Sequence, residues 1–242
     1  MKDKRLNTWK NVAVATVFLG GVIASFTACE KLRNFRMDES VINQFVQDEC
    51  ECTNKLYYYN TYDYEKKFFT LVNDYLLIGF DKQTQSTDIV NYINQIGLFN
   101  LVDSNSILRH NVKHDMLFIN TTEPKTCLQL IKIISTLKES PIVLFANFTF
   151  ESTDVYNDIW TYMNGFRVKL KVGGSTFADL QNIAIETNTL IVGQNEFDPL
   201  IYELITDKNS QGDALQMANY FYETGNFLFA SPDYLGTTIG RK

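Results

Sequence analysis

From Leu56 onward the apolar residues change period repeatedly. Phe68 to Phe80 (FFTLVNDYLLIGF) is rich in aromatic and branched residues and predicts one or two strands around Asn73-Asp74. Ser86-Thr87-Asp88 marks a helix start. Ile89, Val90, Ile93 and Ile96 follow at helical spacing, and Gly97 stands where a C-cap belongs. Ile107 to Asn120 (ILRHNVKHDMLFIN) has strand composition with a polar break. Pro124 opens a second helix, with Leu128, Ile131, Ile134 and Leu137 on one face, and Ser140-Pro141 ends it. Ile142 to Phe150 (IVLFANFTF) predicts a buried strand.

The second half repeats this order. Phe166 to Val172 (FRVKLKV) alternates as a strand does, and Gly173-Gly174-Ser175 turns the chain into a helix carrying Phe177, Leu180, Ile183 and Ala184. Leu190 to Val192 and Leu200 to Ile205 predict two strands around Asp198-Pro199. Asp213 to Thr224 predicts a helix with Leu215, Met217, Ala218 and Phe221 toward the core and Gly225 as its cap. Phe227 to Ala230 predicts the closing strand. "EPKTCLQLIKIISTLKESPIVLFANFTF" and "KNSQGDALQMANYFYETGNFLFASPDY" share one layout: polar turn, helix, stop, strand. The βαββαβ order is the ferredoxin-like motif. The expected fold is α+β, two tandem ferredoxin-like (βαββαβ) α/β sandwiches over residues 56–152 and 160–235, with 236–242 as a tail.

Before Leu56 the pattern is different. Lys2, Lys4, Arg5 and Lys10 form a basic leader, and Val12 to Phe26 is uncharged and free of proline. That run is short for a membrane span, which needs roughly 20 apolar residues. Its length fits the central region of a secretory signal peptide. Phe26-Thr27-Ala28-Cys29 then resembles the lipobox of bacterial lipoproteins, a bulky apolar residue and two smaller ones ahead of cysteine. A plain signal peptide or an uncleaved anchor is the alternative. The resemblance implies a signal peptide over 1–28, lipid on Cys29 and a place in the cell envelope, on the periplasmic side or the cell surface. Several acyl chains would hold the membrane far more firmly than one. Residues 29–55 are charged and polar and read as a tether ending in a weak helix around Val41, Ile42, Phe45 and Val46.

Removing the leader, with its four basic residues and one acid, leaves 18 Lys and Arg against 27 Asp and Glu, a net charge of −9. Nucleic acid is therefore not an expected partner, because phosphate contact needs clustered cations. Cys50, Cys52 and Cys127 remain, an odd number. Cys50 and Cys52 are too close for an easy mutual bridge. The simplest reading is a cluster of free or partly oxidised thiols in the tether, with a pairing of Cys127 to either one left open.

Catalytic and cofactor patterns are missing. His110 and His114 are spaced i, i+4, but in a strand segment that places them ~13 Å apart. They read as surface or turn residues. There is no G-x-S-x-G, no phosphate loop and no dinucleotide fingerprint. Val172-Gly173-Gly174-Ser175 could offer backbone N–H groups to an anion, but reads better as a turn. Tyr57-Tyr58-Tyr59, with Tyr62 and Tyr64, suits either a sugar-binding platform or an edge strand. No enzyme activity and no cofactor are expected.

"GDALQMANYFYETGNFLFASPDY" (Gly212 to Tyr234) resembles the close of the N-terminal prodomain in subtilisin-like serine peptidases of Gram-negative bacteria. There a helix of the type ALEMANxFYESG leads into a strand ending in A-E-P-D/N. Ala214, Leu215, Met217, Ala218, Asn219, Phe221, Tyr222, Glu223 and Gly225 fit the helix. Ala230, Pro232 and Asp233 fit the motif, with Ser231 in place of Glu. Gln194 to Ala214 and Lys55 to Leu71 are similar to neighbouring parts of the same region. The resemblance implies a ferredoxin-like fold. It also implies contact with a subtilisin-like peptidase through Ala230, Pro232, Asp233 and Tyr234, with Tyr234 to Lys242 as a tail in the substrate cleft. Those peptidases continue into a catalytic domain; here nine residues follow Asp233, and Gly236-Thr237-Thr238 lacks the nucleophile serine. Two functions are therefore expected: a lipid-anchored, non-catalytic protein-binding module, or a stand-alone prodomain-like inhibitor or folding helper.

Overall fold

The computed structural model describes residues 47–49, 51–109, 114–152 and 158–238. Cys29, Cys50 and His110 lie outside them. The first half runs β1 (Tyr57–Tyr59), β2 (Lys66–Phe68), β3 (Leu71–Asp81), α1 (Ser86–Ile96), β4 (Ile107–Arg109), β5 (His114–Asn120), α2 (Cys127–Glu139) and β6 (Val143–Glu151). The second runs β7 (Asp158–Leu170), α3 (Phe177–Glu186), β8 (Leu190–Gln194), β9 (Ile201–Ile205), α4 (Ala214–Glu223) and β10 (Phe227–Thr238).

Local chemistry sets most helix ends. α2, α3 and α4 each begin in a reciprocal capping box, Thr126 with Gln129, Thr176 with Asp179 and Asp213 with Gln216. α1 starts at Ser86 without a side-chain cap and ends at Gly97, whose φ of 69° suits glycine. The buried face of α2 is Cys127, Leu130, Ile133, Ile134 and Leu137. Ile131, expected in that face, is 45% exposed. The sheet meets the helix along the line through 127, 130, 134 and 137, which leaves 131 on the solvent side.

The fold is α+β, built on one eight-stranded antiparallel sheet in the order β4-β5-β3-β6-β7-β9-β8, with β10 paired to β7. In the first half β3 and β5 lie in the middle with β6 and β4 outside them. In the second half β7 and β9 lie in the middle with β10 and β8 outside. Counted from β3 in the first half and from β7 in the second, the two orders are the same.

The halves share their sheet at β7. β10 lines one edge of β7 for its whole length, from Phe227↔Leu170 to Thr238↔Asp158. The other edge is divided: β6 takes the start (Thr149↔Thr161 to Glu151↔Ile159) and β9 the end (Gly165↔Ile205 to Lys169↔Ile201). The changeover is a bulge in which Met163, Asn164 and Gly165 stand opposite Asp233 alone. β10 therefore continues well past Ala230, and residues 236–238, expected in a tail, belong to it.

One hydrophobic core serves both halves. Strand residues pointing to one face (Leu76, Ile78, Phe80, Phe150, Tyr162, Phe166, Val168) pack with Ile89, Ile93, Leu130, Leu180, Leu215 and Phe221 from the four helices. Each such fully buried aliphatic or phenyl side chain contributes about 1.5–3 kcal/mol. On the opposite face a smaller cluster joins Leu77, Met116 and Phe145, with Met163 and Leu235 against it.

The segment read as the end of a tether is helical at 47–49 and 51–54 and is fastened to the fold. Cys52 and Cys127 form a disulfide with Cα atoms 6.0 Å apart, which corrects the expectation of free thiols. The Glu49 carboxylate accepts the N–H groups of Cys127 and Leu128, two unsatisfied donors at the start of α2. Sequence could not supply this pairing, because the partner lies 75 residues away.

Candidate functional site

β10 carries the four residues singled out by the sequence, and the bulge in β7 decides where each one points. Ala230 is buried opposite Val168, inside the shared core. Pro232 lies opposite Phe166 on a strand that pairs on one side only, where its missing N–H leaves no ladder bond unmade. Asp233 projects over Gly165, where a Cβ would overlap its Oδ2, and pairs with Arg167 at 3.3 Å. That pair is half open to solvent, where such contacts contribute about 1 kcal/mol or less.

Tyr234 points to the helical face, into an aromatic group drawn from both halves. Trp160 meets its ring at a centroid distance of 6.1 Å, Tyr58 at 6.2 Å and Phe69 at 6.3 Å. Phe69 stacks on Tyr58 at 4.6 Å and on Phe150 at 4.0 Å. The Tyr234 hydroxyl is buried without a hydrogen-bond partner. Burial, then the neighbouring Tyr58, pushes its phenol well above the ordinary range. Tyr162, opposite Tyr234, is fully buried and donates to Asp213 Oδ2 at 3.1 Å.

A cleft of about 220 Å³ opens beside these rings, lined by Tyr58, Phe68, Phe69, Thr70, Glu151, Ser152, Trp160 and Tyr234. It lies where the β1–β2 hairpin meets the ends of β6, β7 and β10. The hairpin is held there from the second half: Tyr57 and Tyr59 each donate to Glu223 Oε1 at 2.8 Å, and Asn219 Nδ2 donates to the Tyr57 carbonyl at 2.7 Å. The three consecutive tyrosines therefore form an edge strand packed on α4. Tyr62, in the hairpin loop, is 93% exposed.

The remaining candidates separate. His114 is buried edge-on to Phe145, at 5.2 Å, and is not a surface residue as expected. Gly173 has a φ of 72°, the Ser175 hydroxyl accepts from Lys171 N, and the α3 N-terminus is closed by its own capping box, so this stretch is a strand-to-helix turn. Among the described residues no group of three or more His, Cys, Asp or Glu could hold a metal ion, and no helix is long and apolar enough to cross a membrane. Cys29, the expected lipid site, lies outside the described residues.

Sequence reasoning missed Trp160 and Glu151 as parts of one site. The available signal was I-W-T-Y before Asn164-Gly165, an aromatic alternation that the Asn-Gly pair disguised as the approach to a turn. No protein-family model matches this chain, and no curated protein matches it either.

Proposed function

We propose that this protein is a non-catalytic, lipid-anchored module of the cell envelope that binds a protein partner. The observation that carries the reading is the sheet face of the second half that none of the described helices covers. All four helices pack on the other face. The open face presents Ile201, Ile205 and Phe229, half-buried, among Arg167, Lys169 and Glu203. Leu190 and Val192 extend this apolar strip to the β8 edge, where they are 60% and 42% exposed. A mixed apolar and charged surface of this kind is the usual composition of a non-obligate interface. The Cys52–Cys127 disulfide supports export, because such bonds persist in oxidising compartments. The leader ending at Cys29 supports lipidation. The matching strand orders of the halves support two tandem ferredoxin-like units fused along one sheet.

The prodomain-like reading keeps its support from Gly212 to Tyr234, with one change of emphasis. Residues up to Thr238 pair with β7, so contact with a subtilisin-like peptidase would rest on the open sheet face and on residues 239–242 alone. Two measurements test the proposal. Cys29→Ser should abolish incorporation of labelled fatty acid and release the chain from membranes; continued labelling overturns the anchor. Phe229→Glu with Ile201→Arg should abolish binding to a co-encoded subtilisin-like peptidase at unchanged folded stability. If the unmodified protein neither binds nor inhibits such a peptidase at micromolar concentration, the peptidase reading fails and another protein partner must occupy this face.

A further inference from the structure

The three most exposed large apolar side chains among the described residues are Phe197 at 94%, Tyr62 at 93% and Val172 at 88%. Each sits on a different turn: Val172 between β7 and α3, Phe197 between β8 and β9, and Tyr62 in the loop of the β1–β2 hairpin. The fold gathers these turns at one end of the second half. Leu170 N donates to the Leu200 carbonyl at 2.9 Å, so the β8–β9 loop flanks the end of β7. Phe227, the first residue of β10, pairs with Leu170, and Lys171 Nζ donates to the Gly225 carbonyl, so α4 ends there too. The hairpin runs the same way as α4. The Tyr57 carbonyl accepts from Asn219, and the Tyr59 ring lies 4.4 Å from that of Tyr222, one turn further along the helix. Its loop therefore leaves beside the last turn of α4.

The turns are fixed by their own hydrogen bonds. Asn195 Oδ1 accepts the N–H groups of Phe197 and Asp198, and the Lys171 carbonyl accepts those of Gly174 and Ser175. Asn60 holds the third turn, its Oδ1 accepting from Tyr62 N and its carbonyl from Tyr64 N. Backbone groups paired in this way lose less when water is removed. The three apolar side chains gain when it is.

This end is nearly neutral, although the chain after its leader carries −9. Lys67 pairs with Asp63 at 3.3 Å and Lys169 with Asp198 at 2.7 Å. Lys66 and Lys171 offset Glu65 and Glu196, and Glu223 is taken up by Tyr57 and Tyr59. An anionic bilayer surface therefore repels this end less than the rest of the chain. A rigid partner would have to match three separate projections, whereas a fluid surface closes round each one. Eighteen residue steps from Cys29 to Gln47 reach up to about 60 Å, enough to bring this end to the bilayer that holds the lipid. We infer that Tyr62, Val172 and Phe197 insert into the membrane interface and orient the fold on it, an inference that rests on the lipid-anchored reading. The open sheet face then stands clear of the membrane for a protein partner.

The mature chain with Cys29→Ser tests this without lipid or leader, so the outcome does not depend on the fatty-acid labelling of Cys29. Vesicles of phosphatidylethanolamine and phosphatidylglycerol in equal parts, at millimolar lipid, should carry the chain down on sedimentation. The bound fraction should persist in about 0.5 M sodium chloride, because burial of apolar side chains is not screened. Phe197→Ser should lower the partition coefficient about tenfold. Adding Tyr62→Ser and Val172→Ser should remove partition at an unchanged thermal midpoint, because all three side chains are exposed. Ile185→Ser, 76% exposed at the far end of α3, should partition like the unsubstituted chain. Absence of partition, its loss in salt, or equal partition of the triple variant would each overturn the inference.

Discussion

Cys52 and Cys127 are joined across 75 residues of sequence, and their bond ties the segment before β1 to the first turn of α2. Closing a loop of that length removes unfolded-chain entropy equivalent to about 4 kcal/mol. Cys127→Ala should lower the urea midpoint correspondingly. Reductant should destabilise the wild type by a similar amount and leave the variant unchanged.

Gly79 lets the Phe145 ring lie directly on the β3 backbone, because a Cβ there would overlap three ring atoms. Phe145 is 4% exposed and is packed in a cluster with Leu77 and Met116. Gly79→Ala should therefore destabilise by about 1–3 kcal/mol, although alanine is ordinarily the better strand residue. Equilibrium unfolding in denaturant is the check.

Tyr162, fully buried, and Tyr234, half-buried with its hydroxyl inside, face each other across the β7–β10 ladder, and their hydroxyls differ. Tyr162 donates to Asp213, while the Tyr234 hydroxyl has no partner. Tyr162→Phe should cost about 1 kcal/mol, and Tyr234→Phe should be neutral or stabilising by up to about 1 kcal/mol. Thermal midpoints of the two variants should move in opposite directions or differ clearly in size.

The phenols of Tyr57 and Tyr59 are pushed up to about 12, by burial first and then by the hydrogen bonds and charge of Glu223. A raised phenol pKa favours the neutral form in the folded chain. The stabilisation is complete below pH 10, the ordinary value of 10.0, and is lost as pH rises to about 12. Absorbance titration at alkaline pH should find these phenols ionising late. In Glu223→Gln their ionisation should move down toward 10, and alkaline unfolding should begin earlier.

Cleavage between the halves gives a mechanical test. A protease site inserted between Ser152 and Asp158 interrupts the chain without touching the β6–β7 ladder or the hairpin on α4. The fragments should co-elute on gel filtration after cutting. Separation would mean that the shared sheet does not hold the two halves together.

The sequence alone determined what local physics controls. The helix over Asp213 to Thr224, its core positions Leu215, Met217, Ala218 and Phe221, and the Gly97 and Gly225 ends were legible. They depend on side-chain periodicity and on backbone conformations that one residue decides. The central parts of most strands were legible too, because their apolar runs are bounded by turn residues, but β7 begins at Asp158 and not at the expected Phe166, and β10 runs on past the expected Ala230 to Thr238. Three things only the tertiary structure decided. Asn164-Gly165 carries the signal of a turn, yet becomes a bulge because β9 and β10 pair with both edges of β7 there. Cys127 has its partner 75 residues away, and loop closure leaves no trace in a local pattern. Tyr58, Glu151, Trp160 and Tyr234 come from four separate strands or strand ends and acquire a common site only when β6 joins β7. Contacts between distant segments depend on pairing energies summed over the whole sheet, and no window of sequence contains that sum.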